Sequence, residues 1–148
     1  MNSNTTNIFI GADHAGFEAK EVLKKYLQEL GFSVKDLGNL ALDPSDDYPD
    51  FIVPVAKAVA QNPDSKGIVI GGSGQGEAMA ANKIEGIRAA VVYDQYSAKM
   101  SRMDNDANVA SFGARVTDIE KIKELTALWL NTPFSNEERH RRRIEKLG

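Results

Sequence analysis

Residues 67–77 read Gly67-Ile68-Val69-Ile70-Gly71-Gly72-Ser73-Gly74-Gln75-Gly76-Glu77. A short apolar run bounded by turn residues fits a buried strand, here Gly67 to Ile70. Four glycines then fall within six residues, Gly71 to Gly76. Glycine lets the backbone turn tightly and approach a ligand closely. A helix from about Glu77 to Ile84 would point its free N–H groups and positive dipole end at that loop. The stretch is therefore a strand, a cradle for an anion, and a helix. Ser73 and Glu77 add a hydroxyl and a carboxylate that a bare turn does not need. The spelling also excludes alternatives. No Gly-Lys-Ser/Thr closes the loop, so it is not a P-loop, and its third glycine comes one residue early for G-x-G-x-x-G. Gly71 and Gly72 stand where a receiver domain would need its aspartate.

The same alternation extends both ways. Asn7 to Gly11, Ser33 to Leu37, Ala89 to Tyr93 and Asn108 to Phe112 read as four more strands. Phe17 to Leu30 is a helix with Val22, Leu23, Tyr26, Leu27 and Leu30 on one face, stopped by Gly31. Pro49 opens a helix to about Gln61, and Gln95 to Met103 is another. Thr117 with Glu120, and Ser135 with Glu138, read as capping boxes that open the last two helices. The first of these carries Ile119, Ile122, Leu125 and Trp129 as its apolar stripe. Right-handed crossovers turn this order into an α/β fold. The expectation is a doubly wound, five-stranded parallel sheet of the Rossmann-like kind, with an additional C-terminal helix.

Bulk properties narrow the function. The 148 residues fit one domain, 1–148. No apolar run approaches the roughly 20 residues that span a bilayer. Met1 to Thr6 lacks an apolar signal region, so a cytoplasmic protein is expected. There is no cysteine, which excludes disulfides, thiolate metal sites and a thiol base. A net charge of -3 gives no reason to expect nucleic acid as a partner.

In doubly wound sheets ligands bind beyond the carboxyl ends of the strands. That rule selects Asp13 and His14, the glycine loop, and Arg115. Asp13 either contacts a sugar hydroxyl or caps the next helix. His14 is able to carry a proton near neutral pH. Arg139 and Arg143 share one helix face, suited to a phosphate; the alternatives are a solvated basic helix or a nucleic-acid patch, which lacks interleaved aromatics. Arg88 and Arg102 read as ordinary surface residues. Asp43, Asp46 and Asp47 read as a solvated loop, with no metal site expected.

Together the motifs Gly11-Ala12-Asp13-His14-Ala15-Gly16, Asp47-Tyr48-Pro49, Gly71 to Glu77, Ala80-Ala81-Asn82-Lys83, Gly86-Ile87-Arg88-Ala89, Asn105-Asp106 and Arg139-His140 resemble the B-type ribose-5-phosphate isomerase family, which includes the galactose-6-phosphate isomerase subunits. The resemblance covers about Asn7 to Leu147. It implies aldose–ketose isomerisation of a sugar phosphate, without metal or cofactor. It also implies a homodimer with two active sites at its interface; association into a tetramer stays open. One branch of the family has a cysteine base at the position of Gly71, the other a glutamate base at Glu77. This chain resembles the glutamate branch. The resemblance makes Glu77 and Ser73 catalytic, with Gly72, Gly74 and Gly76 around the enediolate. Asp13, His14 and Asn105 would hold the sugar. Arg115 and, from a partner subunit, Arg139, His140 and Arg143 would hold the phosphate. One departure stands out: many members have a histidine, thought to help open the furanose ring, where this chain has Asp104. A different sugar phosphate, or a non-catalytic binding module, are the alternatives.

Overall fold

The structure, a computed structural model, describes residues 6–148. Its strands are β1 (Asn7–Ala12), β2 (Ser33–Asp36), β3 (Lys66–Gly71), β4 (Ala89–Val91) and β5 (Val109–Gly113). All pair in parallel, in the order β2-β1-β3-β5-β4. The helices are α1 (Phe17–Glu29), α2 (Pro49–Gln61), α3 (Gln75–Ala81), α4 (Gln95–Met103), α5 (Ile119–Leu130) and α6 (Glu138–Leu147). The expected doubly wound α/β sheet is therefore observed.

Period-two alternation along β3 sends its side chains to two different layers. Ile68 and Ile70 join Ile8, Ile10 and Phe112 in a core closed by Leu23 and Leu27 of α1, Ala98 of α4, and Ile122, Leu125 and Trp129 of α5. Val69 points the other way, with Val109, against Ile52, Val55 and Val59 of α2 and Ala81 of α3. Both faces are covered, as a parallel sheet requires. The chain leaves β1 for β2 on one side and then crosses to β3 on the other. The carboxyl ends of β1 and β3 thus flank the switch point, where a crevice opens.

Several local expectations change. On α1, Leu23 and Leu27 are fully buried, but Val22 and Leu30 are largely exposed. Lys20 takes a place in the interior instead, with no solvent exposure. Its ammonium lies 2.6 Å from Asp36 Oδ2, 2.6 Å from the Asn39 carbonyl and 3.0 Å from Glu21 Oε2. Two hydrogen bonds and an ion pair surround the ammonium, which is what makes a buried lysine tolerable. Neither expected capping box forms. Asp118 caps α5 by accepting from the Lys121 N–H at 3.0 Å, so the helix starts past Thr117. Ser135 donates its hydroxyl to the Met103 carbonyl, and Glu137 precedes α6 without a side-chain cap.

A one-turn 3-10 helix, His14–Gly16, separates β1 from α1. It lies directly on β3: a Cβ built on Gly16 would be 2.3 Å from the Ile70 carbonyl oxygen. Gly16→Ala is therefore expected to lower stability by about 1–3 kcal/mol, the range for overpacking. Urea denaturation measures this; an unchanged midpoint would mean that the turn shifts freely.

Candidate active site

The glycine loop is shaped by three strand-end contacts. Gly74 adopts φ +83°, a left-handed conformation suited to glycine, and is the residue before α3. The Ser111 hydroxyl donates to its carbonyl at 2.7 Å. The Ala114 and Arg115 N–H groups donate to the Gly71 and Gly72 carbonyls at 2.8 and 3.0 Å. That ladder carries Arg115 over the loop. The helix begins at Gln75, earlier than the sequence suggests, so Glu77 falls in its first turn.

Glu77 is only 4% exposed. Its carboxylate rests on the bare Cα of Gly71, where a Cβ would be 2.0 Å from Oε2. A side chain at 71 and the Glu77 carboxylate cannot share this space. The cysteine and glutamate positions of the resembling family are thus two routes to one place. Burial raises the Glu77 pKa above the ordinary carboxylate value, and the Asp13 charge raises it further, while the Glu77 and Gly74 N–H groups oppose the shift.

A pocket of about 350 Å³ opens beside it, lined by Tyr48, Gly72, Ser73, Gly76, Glu77 and Arg115. Ser73 Oγ accepts from the Gln75 N–H at 3.2 Å, which leaves its hydroxyl proton for another partner. Tyr48 is a wall that sequence reasoning missed as a site residue. Its ring lies on Gly76, where a Cβ would be 2.7 Å from Cζ. An aromatic just before the Pro49 that starts a helix was the available signal.

Of the two readings of Asp13, the cap is the one observed. Its Oδ1 accepts from the Ala15 and Gly16 N–H groups at 2.9 and 3.2 Å, a cap, and its charge acts on Glu77. His14 Nδ1 lies 2.7 Å from Asp46 Oδ1. This corrects the reading of Asp46 as a solvated loop residue, since only 3% of its side chain is exposed. Asp13, His14 and Asp46 offer ligand atoms within 4.8 Å of one another. Most of those atoms are already hydrogen-bonded, to each other, to Asn39 and to backbone N–H groups.

Asn105, Arg139, His140 and Arg143 lie elsewhere. Every strand runs the same way, so Glu77 follows the carboxyl end of β3 while Asn105 precedes the amino end of β5. The two edges are about 15 Å apart at roughly 3.3 Å per residue. Asn105 lines a different pocket, with Asn82, Ile87, Ala89 and Leu147. This corrects its expected grouping with Asp13 and His14 within one chain. It sits instead beside α6, where His140, 7% exposed, places Nε2 3.3 Å from Asp104 Oδ1. Asp104, which stands where the family often has a histidine, is therefore paired with one. Arg139 pairs with Glu137 and Arg142 with Glu138. Arg143 has no such partner among the described residues.

Two arginines first read as surface are structural. Arg102, 7% exposed, donates to the Thr132 and Ala107 carbonyls and to Asp106. Arg88 donates to the Asn105 and Asp106 carbonyls.

A family model described as Ribose/Galactose Isomerase matches residues 8–147. The chain belongs to this family. It is 38% identical over 141 residues to ribose-5-phosphate isomerase B of Mycolicibacterium paratuberculosis, covering 95% of this chain and 89% of that one. It is 43% identical over 143 residues to the probable ribose-5-phosphate isomerase B of Mycoplasma genitalium, covering 95% and 93%. Among solved structures, Clostridium thermocellum ribose-5-phosphate isomerase B superposes with a TM-score of 0.93 at 41% identity, over 97% of this chain and 95% of that one. The Mycoplasma genitalium enzyme with bound ribulose 5-phosphate gives 0.93 at 38%, over 96% and 93%.

Because folding raises the Glu77 pKa, the folded chain keeps its proton to higher pH than the unfolded chain. Stability is then lost as pH rises from the ordinary glutamate value through the folded value, and stays lower above it. Glu77→Gln removes that cost. The variant should be more stable than wild type at pH 7, and the gap should close in acid below about pH 4. Urea titrations at the two pH values test this; an equal gap at both would remove the charge as its cause.

Proposed function

We propose that the chain is an aldose–ketose isomerase that interconverts ribose 5-phosphate and ribulose 5-phosphate, with Glu77 as its base. The observation that carries this is a carboxylate, 4% exposed and raised in pKa, packed on Gly71 beside the glycine loop. Residues 1–148 act as one catalytic domain in this reading. Among the described residues, no helix is long and apolar enough to cross a membrane. We place the enzyme in the cytoplasm, in keeping with a phosphorylated substrate.

The chemistry follows from the geometry. Glu77 takes the proton from C2 of the open-chain aldose. The electron pair becomes the C1–C2 double bond, and the carbonyl oxygen takes up negative charge. The Gly72 and Ser73 N–H groups donate to no protein acceptor among the described residues, so they are available to this oxyanion. The Ser73 hydroxyl is a third donor, and Gly74 and Gly76 keep the loop close. Protonated Glu77 returns its proton to C1, the O2 proton passes to O1, and the ketose results. Asp13 and His14 hold the sugar chain, and Arg115 holds the phosphate.

The second cluster completes the site from another copy. Asn105 would meet the sugar, and Arg139, His140 and Arg143 the phosphate, across a homodimer interface. The physical support is the parallel sheet, which keeps the two clusters on opposite edges of one chain.

Glu77→Gln should lower kcat by about 10²–10⁴-fold in a coupled assay of ribulose 5-phosphate formation, the range for losing a general base. A rate near wild type would overturn the assignment. In the wild type, kcat should rise with pH through a pKa above the ordinary carboxylate value, because only the ionised base accepts the proton. Mixing Glu77→Gln with Arg143→Ala, each nearly inactive alone, should restore activity by forming hybrid dimers with one intact site. No recovery, with mixed dimers present by mass spectrometry, would place both residues in one subunit's site.

A further inference from the structure

The stretch Asn39 to Asp47 is polar enough to be dismissed as solvated, yet one of its carboxylates is tied into the molecule at three points. Asp46 Oδ1 lies 2.7 Å from His14 Nδ1 and also accepts the His14 N–H at 3.3 Å. Asp46 Oδ2 accepts from Asn39 Nδ2 at 3.1 Å. Asn39 is itself anchored: its N–H donates to the Ala12 carbonyl at 3.0 Å, and its own carbonyl accepts from buried Lys20 at 2.6 Å. A chain of contacts thus runs from the interior of α1 through Asn39 and Asp46 to His14. Backbone bonds from the Leu37 N–H to the Ile10 carbonyl and from the Ala12 N–H to the Gly38 carbonyl fix the chain just before this stretch.

Its consequence is chemical. A carboxylate on Nδ1 keeps the proton at that nitrogen and sets the ring plane, so Nε2 is left to face a ligand. Nε2 has no hydrogen bond among the described residues, and about a third of the side chain is exposed. The groups that act on the ring are Asp46 from the loop, Asp13 from the end of β1, and Arg115 after β5. The bond to Asp46 and the Asp13 charge raise the pKa of His14, while Arg115 and partial burial lower it. The same loop carries Tyr48, the pocket wall, two residues beyond Asp46.

Resting on the isomerase reading above, we propose that Asp46 is a positioning residue: it holds His14 so that Nε2 meets the substrate, and Asn39 and Lys20 hold Asp46 in turn. Asp46→Asn is the direct test. By nitrogen-15 NMR of histidine, wild-type His14 should carry its proton on Nδ1, and the variant should lose that preference and titrate at lower pH. Its kcat/KM should fall by roughly ten-fold, the scale of one charge-assisted hydrogen bond. Asp43→Asn is the control, because Asp43 is exposed and, among the described residues, its carboxylate bonds only Ser45; it should match wild type. If Asp46→Asn does not fold, Asn39→Ala carries the same test, since it frees one Asp46 oxygen and should give a smaller loss and a partial tautomer change. A folded variant with wild-type tautomer and wild-type kcat/KM would overturn the proposal. If wild type itself fails to turn over ribose 5-phosphate, the isomerase reading falls, while the NMR titration still decides whether Asp46 sets His14.

Discussion

The candidate site depends on burying one carboxylate against bare backbone. Glu77 rests on Gly71 at the end of the central strand, and any side chain at 71 would displace it. Burial disfavours the charged form, and nearby Asp13 adds to the effect. A carboxylate held this way is a stronger base than one in water and is close to the pocket where a substrate would sit. The glycines around it are there for close approach: Tyr48 covers Gly76, and Arg115 crosses Gly72.

The parallel sheet imposes a second constraint. It gathers the ends of β1, β3 and β5 on one edge, which brings Asp13, His14, the glycine loop and Arg115 together. It also sends Asn105 to the opposite edge, next to α6 with its basic residues. A doubly wound sheet has no way to fold these two edges onto each other. Residues that read as one site along the chain therefore form two separate clusters in space, which the proposed function joins through a second copy.

Much of the fold was legible because it rests on local rules. The apolar run Gly67 to Ile70, its glycines and the alternation of strands and helices follow from period and turn chemistry alone. Helix starts were less legible. Thr117 with Glu120 and Ser135 with Glu138 have the right spelling for caps, but Asp118 caps from one residue later and the Met103 carbonyl takes the Ser135 hydroxyl. Asp46 was misjudged, and nothing local announced the burial of Lys20, for a related reason. A charged side chain looks solvated until its partners arrive from distant segments, here Asp36 and Asn39 for the lysine and His14 for the aspartate.

The sequence by itself determined the sheet, the loop and the residue types of the candidate site: a serine and a glutamate in a glycine-rich turn, no thiol, and arginines at 115, 139 and 143. Only the tertiary structure decided that Glu77 takes the space of a side chain at 71, that Asp46 grips His14, and that Asn105 belongs with α6. The difference is one of range. Turn chemistry and hydrophobic period act over a few neighbouring residues, whereas burial, pairing and sheet direction depend on segments brought together across the chain.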